Sequence, residues 1–387
     1  VLHDPRAHEP LSGGRWDSDD VRAAIREIVE DAERSFDDGW STHPLDVEYD
    51  GDEQHRFRSV YLGGAGVVQA LDALRRRGLV ELRREYVSYL DRVFEPDPPD
   101  TGHARGLLGG ECGIRLALHR LSPSEGNADR LAELIPGNAE DERCELMWGS
   151  PGTMLVAAAM HELTGEARWL ELWRTSAAWL KDRWDPESGL WTQRLSDGVH
   201  QYIGPAHGFA GCVLALGAFA ADGELDRRAA ETTARYAVEA DGLANWLPSA
   251  SMRRLDSNRD GSIRTQWCHG APGVVASLAR FAADDDEHGR LLLAGGELTW
   301  QAGPLAKGAN LCHGTAGNGY AFLALFERTG DALWLERARA FAMHAIAQVE
   351  RDRALYGRGR HSLWTGDPGT ALYLADCLDG GGAVPLP

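Results

Sequence analysis

The sequence predicts an all-α protein in which an inner layer of helices is wrapped by an outer one. Three observations predict it. A Gly-x-x-Gly motif opening an apolar run recurs at Gly63, Gly110, Gly149, Gly208, Gly270, Gly314 and Gly366 as first glycines. Each copy opens an apolar run of about ten residues. A turn and a one-sided amphipathic segment then follow, and this order repeats along the chain.

The first glycines are spaced by 47, 39, 59, 62, 44 and 52 residues. Segments 149–171 and 314–336 align without a gap and share Glu, Thr-Gly, an acid, Ala and Trp-Leu-Glu at equal offsets. The apolar run Gly319–Phe326 is apolar on nearly every side, as in a helix buried all round. A buried strand competes at this length, but the alanine-rich content (VAAAM, ALDAL) favours helix. In the following segment Trp334, Ala338, Phe341, Ala345 and Val349 form one helical stripe, and Trp169, Trp173 and Leu180 do the same in repeat three. Each repeat therefore reads as an inner helix plus an outer helix. Wholly apolar inner helices favour a closed ring over an open solenoid, whose concave face would be wet. In a ring the seven turns meet at one end, where glycine permits positive φ and close backbone approach. The linkers at roughly 172–203 and 225–263 and the acidic stretch 282–289 read as surface loops. No domain boundary is visible. Residues 1–56 read as a segment leading into the ring, 57–379 as the ring and 380–387 as a tail.

Composition narrows the function. The 387 residues carry a formal charge of -19 and are 43% hydrophobic, which excludes disorder as the main state. The acidic balance argues against a nucleic-acid groove or an anionic membrane surface as partner. No apolar run reaches the ~18 residues of a membrane span, and no signal peptide is visible at the start. Only two of the forty basic residues are lysines, Lys181 and Lys307. Six cysteines are far too few for a disulfide scaffold and imply a reducing, cytoplasmic setting. Four of them lie in or beside apolar stretches.

The other two stand out. Repeats five and six contain QWCHGAPG and NLCHGTAG, each with a Cys-His pair directly before the turn glycine. Thiolate and imidazole suit Zn²⁺. Adjacent turns of a ring would bring Cys268 and Cys312 together although they are 44 positions apart. Four ligands (Cys268, His269, Cys312, His313) would close the site, whereas three would leave a position for substrate. The plain alternative is two buried cysteines beside surface histidines. An Asx-rich stretch, Asp256–Gly261, imitates half a calcium loop but has Trp267 where the closing glutamate belongs, so it reads as a turn.

The segments GPAHGFAG (204–211), QWCHGAPG (266–273) and NLCHGTAGNGYAFL (310–323) resemble the lanthionine synthetase C-like proteins over roughly 57–379. That resemblance implies an α/α toroid of seven helical hairpins and one Zn²⁺ held by Cys268, Cys312 and His313. His269 stands where peptide-cyclising members often carry tyrosine. With Lys307 it looks like the glutathione-binding branch found in eukaryotes, which makes both candidate substrate-binding residues. His207 matches the family's acid/base histidine, Glu145 stands where an aspartate is usual, and Arg264 matches an active-site arginine. On their own these three could be a bland turn histidine, a solvated helix-end acid and a surface arginine. The implied chemistry is zinc-dependent thioether formation: a cysteine thiolate adds to dehydroalanine or dehydrobutyrine in a dehydrated peptide, and a separate dehydratase or damaged protein supplies the acceptor. Glutathione as external nucleophile is the alternative. Readings of other classes are a sugar-active α/α toroid, which needs paired carboxylates on the turns, and a non-catalytic zinc- or thiol-binding protein.

Overall fold

The computed structural model describes residues 1–47, 55–92, 105–219, 223–251 and 261–387. Among them fourteen helices follow in chain order: α1 Ser18–Arg34, α2 Gly64–Arg76, α3 Val87–Leu90, α4 Glu111–Leu121, α5 Glu125–Leu134, α6 Ser150–Thr164, α7 Ala167–Asp182, α8 Phe209–Leu216, α9 Gly223–Tyr236, α10 Ala271–Leu278, α11 Asp286–Ala302, α12 Thr315–Thr329, α13 Ala332–Tyr356 and α14 Asp367–Asp379. The even-numbered helices are the inner layer, and each starts directly after the first glycine of a Gly-x-x-Gly copy. Each inner helix packs on the next, and α14 packs back on α2, so the ring is closed. The outer partner of α14 is α1, so the segment before residue 57 supplies an outer helix of the ring. Its stripe Val21, Ile25, Ile28, Ala32 is buried, and Asp17 caps it by accepting from the N–H groups of Asp19 and Asp20. Among the described residues no helix is long and apolar enough to cross a membrane.

The inner helices are buried on all sides as expected: in α12 the run Thr315–Leu323 is buried without a break. The stripe Trp334–Val349 of α13 faces inward, as do Trp169 and Leu180 of α7. Gly165 and Gly330, in the shared Thr-Gly turns, close α6 and α12 in the left-handed region at φ 70° and 69°.

Two expectations are corrected. The long linkers are not surface loops throughout. They hold the end of α7, α9 and two antiparallel hairpins, β1 Gln193–Leu195 with β2 Gly198–His200 and β3 Ala237–Ala240 with β4 Leu243–Trp246. Strand β4 packs on α11 and buries Ala244, Asn245 and Trp246 completely. The acidic stretch 282–289 is an exposed turn, as expected, only at 283–285; from Asp286 it is the first turn of α11, with Asp285 capping the N–H of His288. Acids there complement the positive end of the helix dipole. The calcium-like stretch up to Asp260 lies outside the described residues.

The motif glycines are explained by close approach. Among the first glycines only Gly270 has positive φ, at 109°; the others are extended. The second glycine of every copy faces the carbonyl six residues earlier. A Cβ would sit 2.1 Å from Val60 O at Gly66 and 1.7 Å from Leu311 O at Gly317. Backbone cannot yield there as a flexible side chain would. Gly317→Ala is expected to cost at least about 3 kcal/mol, the upper range for overpacking, measured as a lower urea midpoint with unchanged m-value.

Adjacent turns are also stitched by backbone hydrogen bonds around the axis. Tyr61 N–H donates to Leu108 O, Leu108 to Met147, Leu146 to Ala206, Cys268 to Cys312, Cys312 to Trp364 and Trp364 to Tyr61, at 2.9–3.3 Å. Between turns four and five Gly204 instead lies against the Cys268 carbonyl, where a Cβ would stand 2.3 Å from the oxygen. This closed belt fixes the turn residues relative to one another.

Candidate active site

The belt places the chemistry. Cys268 and Cys312 are neighbours on it, linked by Cys268 N–H to Cys312 O at 3.1 Å. They are 7% and 6% exposed, and the ionisation of each thiol depends on the other. Gln266 Nε2 donates to Cys268 Sγ at 2.9 Å, and Tyr61 Oη donates to Cys312 Sγ at 3.1 Å. The neighbouring Cys312 holds the Cys268 thiol below the ordinary thiol range against burial, helped by Gln266 and by the charges of His207 and Lys307. Cys312 is pushed up by its partner and by burial. Burial also pushes up Cys112, Cys212 and Cys377, and takes Cys144 to about 12. Cys268 alone among the six is shifted toward thiolate, which separates it from the four packing cysteines.

Two buried sulfurs on adjacent, hydrogen-bonded turns, one biased toward thiolate, fit a borderline-soft divalent ion such as Zn²⁺. The third predicted donor is not gathered in. Among the described residues no three His, Cys, Asp or Glu side chains converge on one metal point. His313 adjoins Cys312, and its backbone N–H is fixed by Asn310 Oδ1 at 3.0 Å. Burial, Lys307 and Arg360 push its imidazole down to about 4, so the ring is neutral, the form that ligates metal.

On the neighbouring turns Glu145 is fully buried, not a solvated acid. Its carboxylate accepts from the N–H groups of Met147, Trp148 and Gly149 at 2.7–2.9 Å, and so orders the turn that leads into α6. It also accepts from His207 Nδ1 at 3.0 Å. Burial opposes the imidazolium, but the hydrogen bond and charge of Glu145 outweigh it and hold His207 above the ordinary imidazole range. With Nδ1 engaged, Nε2 carries the exchangeable proton. His269 is pushed down to about 3 by burial and the charges of His207, Arg264 and Lys307, so it is neutral. Lys307 is exposed, and its positive charge reaches both sulfurs, His269 and His313. Arg264 is exposed on the same turn as Cys268, and its charge acts on His269 and Tyr202.

Four further residues belong to this site. Tyr61 and Gln266 touch the sulfurs. Trp148 stacks on His207 at 5.7 Å and 28°, and Tyr202 lies 6.1 Å from His207 and 5.8 Å from His269 between ring centroids. Register could have found two of them. Tyr61 precedes its turn glycine by two residues, as Cys268 and Cys312 do, and Trp148 precedes its glycine by one, as His207, His269 and His313 do.

The fold and these turns define a class, a closed α/α ring with a paired-thiol and histidine–carboxylate site at one end. The family model for lanthionine synthetase C-like proteins matches residues 57–385. The chain belongs to the lanthionine synthetase C-like family. It is 39% identical over 127 residues to glutathione S-transferase LANCL1 of Danio rerio, covering 30% of this chain and 29% of that protein. It is 32% identical over 147 residues to LanC-like protein GCL1 of Arabidopsis thaliana, covering 37% and 32%. These alignments thus span about a third of each relative's length. Among solved structures, nisin cyclase superposes with a TM-score of 0.60 at 15% identity, covering 93% of this chain and 94% of that one, which identifies the fold as the same α/α toroid.

Proposed function

We propose that this chain forms thioethers by adding a thiolate to the β-carbon of dehydroalanine or dehydrobutyrine residues. The observation that carries this reading is a buried sulfur pair, Cys268 and Cys312, within electrostatic reach of a proton-bearing His207 held by Glu145. Zn²⁺ held by Cys268 and Cys312, with the neutral ring of His313 drawn in as third ligand when the ion binds, would supply Lewis-acid activation of the nucleophilic thiol. A carbon–sulfur bond forms as the carbon–carbon π pair moves to the α-carbon and its carbonyl. His207 delivers the proton from Nε2 to the α-carbon, and the proton lost by the thiol restores it, so the net change is addition of S–H across the double bond. Glu145 holds the imidazole in orientation and favours its charged form. Arg264 stabilises the enolate charge. Trp148 and Tyr202 wall the site and keep water from the enolate.

In the first form of this reading the thiol is a cysteine of the same dehydrated peptide, and the product is a lanthionine ring. In the second the thiol is glutathione. That form is favoured by Lys307, whose charge acts on both sulfurs and suits an anionic small thiol, and by the similarity to a protein named a glutathione S-transferase. One assay separates them: zinc-loaded protein is incubated with a dehydrated peptide containing cysteine, with and without glutathione. Loss of free cysteine without change of mass supports ring formation, and a mass gain of one glutathione supports external addition. Neither outcome, with zinc bound, would leave a zinc- or thiol-binding protein without this activity.

A further inference from the structure

Resting on the zinc reading above, the structure assigns a role to two residues that it does not use. Each sulfur of the pair accepts one conventional hydrogen bond, and the two donors come from different parts of the ring. Gln266 lies on the turn of Cys268, 8% exposed, and reaches its Sγ at 2.9 Å. Its backbone exchanges hydrogen bonds with His269 at 3.0 and 3.1 Å, so the amide is launched from a pinned turn. Tyr61 lies 251 positions from Cys312 and reaches its Sγ at 3.1 Å. Turn one is not adjacent to turn six. The tyrosine spans turn seven, with its ring stacked on Trp364 at 6.3 Å and 20°. Its backbone is held on both sides, by Leu108 O and by the N–H of Trp364, at 2.9 and 3.3 Å.

A hydroxyl and an amide in this setting are costly unless they are used, because a buried polar group must find a partner. Here the partner is sulfur, a weak acceptor as a thiol and a much better one as a thiolate. Phenylalanine and methionine would fill nearly the same space without donating. We propose that Tyr61 and Gln266 are positioning residues for the two sulfurs. They fix the sulfur lone pairs toward the shared ion and draw electron density from the two thiolates. Outer-sphere partners of metal ligands act in this way and typically account for 10–100-fold in metal affinity.

The test uses the full chain loaded with Co²⁺ in place of Zn²⁺, comparing the unmutated protein with Tyr61→Phe and Gln266→Met. The readouts are the sulfur-to-cobalt charge-transfer band and the metal affinity from chelator competition. Removing either donor leaves a more electron-rich sulfur, so the band is expected to move to lower energy, with about a tenfold loss of affinity. A purely structural role would lower the melting temperature and leave the band energy where it was. Variants that keep the native band and affinity overturn the proposal while the zinc reading stands. An unmutated protein without any sulfur-to-cobalt band overturns the zinc reading, and this role with it.

Discussion

Cys312→Ala is expected to abolish metal binding and thioether formation together. The ring would survive, because Cys312 takes part in the backbone belt through its N–H and carbonyl and these remain in alanine. What disappears is one of the two sulfurs, leaving Cys268 without the partner that biases it toward thiolate. A substrate thiol then keeps its ordinary pKa near ~8.5 and is only a few per cent ionised at pH 7. Turnover is expected to fall by about 10²-fold or more, to the rate of the free thiol. Elemental analysis of the purified protein is the direct check, with Cys112→Ala as control. Cys112 is as deeply buried and lies on an inner helix far from the pair in sequence, so its loss removes packing but no ligand. Stoichiometric zinc in Cys312→Ala would sink the ligand assignment.

The contrast between these two cysteines shows where sequence is informative. The apolar, all-round pattern of the inner helices, the stripes of the outer ones and the Gly-x-x-Gly period are properties of hydrophobic burial, which leaves its period in the chain. The meeting of turns five and six follows from ring closure alone. The hairpins were hidden because β1 and β2 are three residues each and carry no alternation long enough to register. Burial of Asn245 was hidden for a different reason. Its side chain bonds to Leu2 O and accepts from the N–H groups of Ala271 and Trp246, so a polar residue is satisfied inside by partners scattered along the chain. The tryptophans are similar. Trp191, Trp246, Trp267 and Trp364 are fully buried in hairpins and turns, not on outer-helix stripes. Tyr61 and Trp148 were legible in principle, since they hold the same offsets from their glycines as the cysteines and histidines, but tyrosine and tryptophan on a turn suggest packing until a sulfur or an imidazole is seen beside them.

The histidine–carboxylate pair yields the second large effect, and it is separable from the first because neither member touches the sulfurs. His207→Ala is expected to keep stoichiometric zinc and lose about 10²–10⁴-fold in turnover, the range for removal of an acid/base group. Glu145→Gln is the more discriminating variant. Glutamine preserves the side-chain length, and its one oxygen can still accept from the N–H groups of Trp148 and Gly149, but it removes the negative charge that outweighs burial of His207. The imidazole pKa then falls, and the protonated fraction at neutral pH falls with it. For an acid that acts in its protonated form, activity is retained below the pKa and lost as pH rises through it, so the alkaline limb of the pH–rate profile moves to lower pH in Glu145→Gln. The same sign applies to stability. A histidine raised in the folded state stabilises fully below its unfolded pKa of roughly 6.5, and that contribution is lost as pH rises through the folded value. The native protein is therefore expected to lose this part of its stability on the alkaline side, and Glu145→Gln to show a weaker dependence there. Because Glu145 acts on the reaction through His207, the double variant should be little slower than His207→Ala alone, as for residues that work as a unit. Additive losses would mean that Glu145 contributes mainly by ordering the turn before α6, and that His207 holds its proton without it.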